Sequence, residues 1–459
     1  MSTQGVSERR VRIKASPTIV YGTIFGVGCA CFLCMTLATA QSNEGKQIIL
    51  NHADSLVGKM INGETVREVI GRVEFTQGEV VVRCDRAIHY PGPNRAELYG
   101  NVTVKRDTVT LTAPRGIYDG EKRQAFGFDG VEMWTKRLSI TAQEGNYLVK
   151  EKVAYFEKDV KVVDSATTIT SRELTYYEDE HRSVAVGDVR VVNSRDNATM
   201  FGNYLEHFDD RKYSKMLVAP KFVQVDTSSS GKIDTLVIIS KQMESYDDSV
   251  RRFIATDSLQ LVRGELAGEN REGVYYSNQD IVILHNQPII WYQDNQVTGD
   301  SVRIYLRKRR LDRVWVQGNT FAVSQSDSLA VERSEHGDRF NQLTSQSMTL
   351  YFANDALQHI DAEGTAVSLY FLYEDGKPNG VNKSSGDKIF VYSKDGRTES
   401  IKVVGGTEGK FFPENLVNGS VSSYSLPGFR WRTDRPRLGK DLSIVALPFD
   451  KNERTGVKK

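Results

Sequence analysis

The chain has 459 residues, 39% hydrophobic and 26% charged, a composition typical of soluble globular proteins and long enough for two to four domains. Its 60 Lys and Arg against 59 Asp and Glu leave a net charge of +1, which excludes a general nucleic-acid or anionic-membrane surface. Only 11 prolines occur beside 20 tyrosines and 19 phenylalanines, so strands are favoured and a long proline-rich linker is excluded.

The N-terminus reads as an export signal. Arg9, Arg10, Arg12 and Lys14 form a basic start, and Thr18 to Ala40 is almost free of charge. Ala38-Thr39-Ala40 before Gln41 is a small-x-small cleavage pattern. Residues 1–40 are expected to be a signal peptide or, if uncleaved, a membrane anchor, since about 20 apolar residues can span a bilayer. Cys29, Cys31 and Cys34 lie in this segment. The mature chain keeps only Cys84, so no internal disulfide, CxxC pair or zinc finger is available. Cys84 falls on an apolar repeat position, where buried packing is expected.

A 29-residue repeat follows. Val73, Val102, Val131, Val160 and Val189 recur at that spacing, each with an apolar partner two positions on: Phe75, Val104, Met133, Val162 and Val191. Gly71, Gly100, Asp129, Lys158 and Gly187 stand two positions before the valines and predict a turn at the start of each unit. A second predicted strand repeats as Val80/Val82/Cys84, Val109/Leu111/Ala113, Leu138/Ile140/Ala142 and Thr167/Ile169/Ser171, with alternate residues on one face. Polar residues between them, such as Thr103, Lys105 and Thr110, suit the wetter face of an antiparallel sheet. Tyr90, Tyr118, Tyr147, Tyr176 and Tyr204 form a ladder that slips by one residue at each end, and small residues recur at Ala96, Ala125 and Ala154. One hairpin cannot bury its apolar face, but a stack of them can.

After about residue 212 the period loosens. Thr256-Asp257-Ser258-Leu259, Gly299-Asp300-Ser301-Val302, Ser345-Gln346-Ser347-Met348 and Gly386-Asp387-Lys388-Ile389 each open a predicted strand, at spacings of 43, 46 and 41. Thr227 to Gly231 predicts the loop between the halves. The expected organisation is a first repeat domain over 41–212, a second over 213–410 and a C-terminal tail over 411–459.

The pattern Gly-x-Val-x-Val, then x-Leu-x-Ala-x-x-Gly-x-Tyr, as in Gly100 to Tyr118, resembles the OstA-like and LptA-like periplasmic lipopolysaccharide-transport family. The resemblance implies an all-β fold of stacked antiparallel β-jellyrolls, open and V-shaped like a taco, here as two tandem domains. It implies a periplasmic, non-enzymatic protein of lipopolysaccharide transport and outer-membrane assembly, whose apolar groove shields lipid A acyl chains. Its partners would be lipopolysaccharide and other transport-bridge or outer-membrane assembly proteins, joined by end-to-end strand stacking. The groove would be lined by two stripes. One comprises Val73, Phe75, Val102, Val104, Val131, Met133, Val160, Val162, Val189 and Val191. The other comprises Val80, Val82, Val109, Leu111, Leu138, Ile140 and Ile169.

Motifs for catalysis are not found. Gly405-Gly-Thr-Glu-Gly409-Lys410 is one residue short of a phosphate loop and ends in Phe411, so a hairpin turn is expected. Seven histidines are scattered without HxH or HxxxH pairing, so neither a metal nor another cofactor is expected. There is no Gly-x-Ser-x-Gly elbow. Asp209-Asp210 and Asp247-Asp248 fall in polar turn segments, and Arg307-Lys308-Arg309-Arg310 reads as a solvated hairpin tip. Two other readings fit the repeat: a structural or adhesive exported β-solenoid with a dry core, and a polysaccharide-active β-helix enzyme.

Overall fold

Strand Glu64–Gln77 shows how the repeat becomes structure: its apolar residues alternate inward, then a kink resets the alternation and the strand continues. Strands Val80–Tyr90, Arg95–Arg106 and Val109–Asp119 follow as successive antiparallel neighbours, each with a register shift at mid-strand. The computed structural model describes residues 47–446 except 166, 194, 196, 228–232, 308–309, 327–338, 355, 376, 395–396 and 440–442. The export signal, Cys29, Cys31, Cys34, Lys308, Arg309, His336 and most of the Thr227 to Gly231 loop lie outside the described residues. Thirty strands join in one antiparallel sheet, all within the unit Glu44–Lys459.

The kink corrects one sequence expectation. Gly71, Gly100 and Gly187 do not begin a unit with a turn. They sit inside long strands, each followed by a second residue of positive φ: Gly71 and Arg72 at 82° and 47°, Gly100 and Asn101 at 73° and 46°. Two left-handed residues in a row make a β-bulge that bends the strand. Glycine is required at the first position: a Cβ on Gly100 would collide with the Asp85 carboxylate, which in turn accepts a 2.8 Å hydrogen bond from Asn101 Nδ2. The looser second half uses the same device. Asp300 lies over Gly318 and accepts from Asn319, and Asp387 lies over Gly405. The Asp300 and Asp387 motifs are therefore corners. Gly405 and Gly406 form a bent corner rather than a hairpin, because strands Arg397–Val404 and Glu408–Pro413 both pair with Lys377–Lys394.

Bending folds the ribbon of hairpins into two facing layers. In one layer Phe75, Val82, Val104, Leu111, Met133 and Ile140 oppose one another in turn. The column continues through Val162, Ile169, Val191, Met200, Phe222 and Ile238, with no break at residue 212. In the other layer Leu98, Gly116, Gly127, Gly145, Phe156 and Leu174 form the matching column. Its small members leave room for the larger side chains opposite: a Cβ on Gly127 or Gly145 would press against Val131. Ring contacts bridge the layers, Phe75 to Tyr118 at 5.8 Å and Phe222 to Phe253 at 4.7 Å between centroids. One apolar cluster fills the space between them from Val69 to Ile389.

The segment expected as a tail packs back on the body. After the short helix Glu414–Val417 the chain doubles over the strands of the second half. Leu426 N–H bonds Gln342, Gln296 bonds the backbone of Arg430 and Arg432, and Arg435 donates to the Gln293 carbonyl. Val417 and Leu426 enter a second core with Phe321, Phe371 and Val381. Two hydrophobic faces on one strand, at different positions along it, explain why this strap was not legible from the 29-residue pattern.

Candidate lipid-binding interior and its seam

All seventeen stripe residues come together in the one core cluster, each 0–6% exposed. The two stripes are not two surfaces. Phe75 pairs with Val82, and Val104 with Leu111, so the stripes are successive rungs of a single layer. The facing wall, Leu98 to Leu174, was missed because half its members, Gly116, Gly127 and Gly145, carry no hydrophobic signal in the sequence. Cys84 is packed in the same core, and burial pushes its thiol up to about 11.

The tyrosine ladder closes the interior. Tyr118, Tyr147 and Tyr176 point inward at 0–1% exposure, separated on intervening strands by Ala125 and Ala154. A one-residue slip flips a side chain to the other face, so Tyr90 and Tyr204 stand outside and only half-buried. The slip marks a change of face, and the strands continue stacking past it.

Where the free ends of the layers meet, the described residues form no backbone ladder and are joined by side-chain bonds. Tyr118 donates to Gln77 at 2.7 Å, and Gln77 donates to the Gly120 carbonyl at 2.7 Å. Arg106, 5% exposed, donates to both Glu178 carboxylate oxygens at 3.0 and 2.8 Å and to the Val149 carbonyl, and Tyr147 donates to the same carboxylate. Farther along, Tyr275 donates to Gln224 at 3.2 Å. Each bond joins a residue just before one turn to a residue near another, so the seam is a row of separate fastenings.

Both ends expose apolar surface. Strand Ser55–Ile61 pairs with Glu64–Gln77 alone among the described strands and leaves Leu56 52% and Met60 72% exposed. Toward the C-terminal end Val297, Leu343, Leu357, Ile360, Val391 and Ile401 line a cleft of about 120 Å³. Among the described residues no His, Cys, Asp and Glu group could hold a metal ion, and no helix is long and apolar enough to cross a membrane. Of the basic run, Arg307 and Arg310 face each other at the end of a hairpin, Arg307 paired with Asp312 at 3.0 Å.

Two antiparallel layers, bent from one ribbon and closed around an apolar interior, define a stacked β-jellyroll. Residues 45–200 match the model of the family described as OstA-like protein, and residues 139–310 match that described as LptA/(LptD N-terminal domain) LPS transport protein. The two matched stretches overlap and together run from 45 to 310, so the chain is similar to OstA/LptA-like proteins over that span. No curated protein matches it. Among solved structures it is similar to LptH of Pseudomonas aeruginosa, described as the LptA-homologous periplasmic component of the lipopolysaccharide transport device. Identity is 14%, with 32% of this chain and 79% of that chain covered, and the TM-score is 0.18.

Proposed function

We propose that this chain is a non-enzymatic periplasmic protein of lipopolysaccharide transport and outer-membrane assembly that shields acyl chains between its two layers. The observation that carries the proposal is the column from Phe75 to Ile238, apolar at every rung and part of a core that reaches the C-terminal cleft. At roughly 25 cal/mol per Å² of apolar surface, such an interior would hold acyl chains by many kcal/mol without any cofactor. The stripe residues are shielded, so lipid must part the layers. The seam is the place for that, since fastenings of separate side chains yield more readily than a backbone ladder. The bare edge of Ser55–Ile61 suits strand addition by another bridge or outer-membrane assembly protein. Residues 41–212 and 213–410 would serve as two tandem jellyroll segments of one continuous stack.

Photo-crosslinkers at Val104 and Leu111 are expected to capture lipopolysaccharide, whereas those at Thr103 and Thr110 on the outer face are not. Equal capture from both faces, or none, overturns the proposal. The alternative of a structural or adhesive solenoid with a dry core is favoured by one observation, the 0–6% exposure of every stripe residue. It predicts no capture at any of the four positions.

A further inference from the structure

The column containing the tyrosines is interrupted at one place. From Ala96 to Tyr176 it holds only Tyr and Ala, and from Phe253 onward it is aromatic or aliphatic again through Tyr275, Val282 and Ile304. Between them four consecutive rungs are Ser183, His207, Ser214 and Ser245. A cavity of about 300 Å³ opens here, lined by the last three. That volume lies at the lower end of the range for small-molecule sites.

The cavity is polar on its walls and apolar at its base. His207, 3% exposed, bonds Ser214 Oγ at 2.9 Å and lies 3.4 Å from the Asp164 carboxylate. The Asp209 side chain is 2% exposed and lies 3.9 Å from His181 Nδ1, yet neither of its carboxylate oxygens has a hydrogen-bond partner. Buried acceptors without donors are costly, and the two Asp209 oxygens at this cavity mark a place for a ligand with hydroxyl or N–H groups. Lys136, Arg137 and Lys212 stand exposed at the rim and form no ion pairs among the described residues. The base includes Met200 and Phe253, which also border a smaller gap of about 20 Å³ inside the core, next to Phe222 and Met243. Methionine is the side chain best able to repack around a guest.

A donor-seeking carboxylate, a cationic rim and an apolar base match one kind of molecule. We propose that this break in the tyrosine column seats the phosphorylated sugar headgroup of an acylated ligand, with hydroxyls toward Asp209, phosphate at the Lys136, Arg137 and Lys212 rim, and acyl chains past Met200 into the core. The proposal rests on the lipid-binding reading above and fixes where along the stack the headgroup stops.

The test compares the full chain with a Lys136→Ser, Arg137→Ser, Lys212→Ser variant for binding of diphosphoryl lipid A and of the same lipid after phosphate removal. All three positions are exposed, so circular dichroism should be unchanged. The expected result is at least a ten-fold weaker affinity of the variant for the phosphorylated lipid and the same affinity as the parent for the dephosphorylated one. Equal weakening for both lipids, or no weakening, overturns the headgroup seat while leaving acyl-chain binding intact. Binding of neither lipid by the unaltered chain overturns both readings.

Discussion

Replacing Arg106 with alanine tests whether the seam is fastened by side chains. The guanidinium is 5% exposed, grips both oxygens of Glu178 and lies 5.7 Å from the Tyr147 ring. The Glu178 side chain is 18% exposed, so truncation strands a largely buried carboxylate and the Val149 carbonyl. Breaking a buried pair from one side costs about 3–5 kcal/mol, and the residual exposure of Glu178 places the expectation near 3 kcal/mol. Urea unfolding should show that loss as a lower midpoint at unchanged slope. Adding Glu178→Ala removes the stranded charge, so the double variant should recover about 1–2 kcal/mol relative to additivity. A loss below about 1 kcal/mol, the level of a surface ion pair, would refute the reasoning, as would strict additivity.

Two further outcomes follow from local geometry. Gly100→Ala forces a Cβ into the Asp85 carboxylate at a φ of +73° and should lower stability by more than about 1 kcal/mol, while Gly92→Ala, with open space around it, should stay within about 0.5 kcal/mol. Matching thermal shifts for the two would refute the corner argument. Burial raises the Asp209 carboxyl above its usual range, so the folded chain binds that proton more tightly than the unfolded chain. Its stabilising effect is present below the unfolded value, about pH 3.9, and is lost as pH rises through the raised one. Asp209→Asn should therefore melt higher than the parent at neutral pH and lose that advantage at about pH 3; the opposite order would show that the His181 ring, 3.9 Å away, holds Asp209 ionised.

The sequence exposes what repeats and is apolar. Val104 and Leu111 were readable as inward because alternation and the 29-residue spacing agree. Gly71 and Gly100 were readable as special but not as bulges, because a turn and a bent strand both call for positive φ. The seam was hidden for another reason. Arg106 and Glu178 are 72 residues apart and their bond closes the seam, so no local spacing announces it. The polar break was not legible: the repeat spacing led to Tyr204, which stands outside, and Ser183 and His207 take the rungs after Tyr176 only once strands Arg182–Asn193 and Ala198–Phe208 are paired.

Because each strand of the main sheet bonds only to strands of the preceding and following rungs, the stack has the topology of a zipper. Contacts close over short loops, and a rung can form as soon as its neighbour offers an edge. A chain emerging from its N-terminus can thus add rungs in the order they appear, each templated by the one before. The strap obeys a different clock. Gln296 waits for Arg430, 134 residues later, so the outer face of the last strands stays uncovered until that segment has arrived. Truncation ahead of the strap would leave the early rungs standing and that face bare, which makes the strap a late-arriving cover.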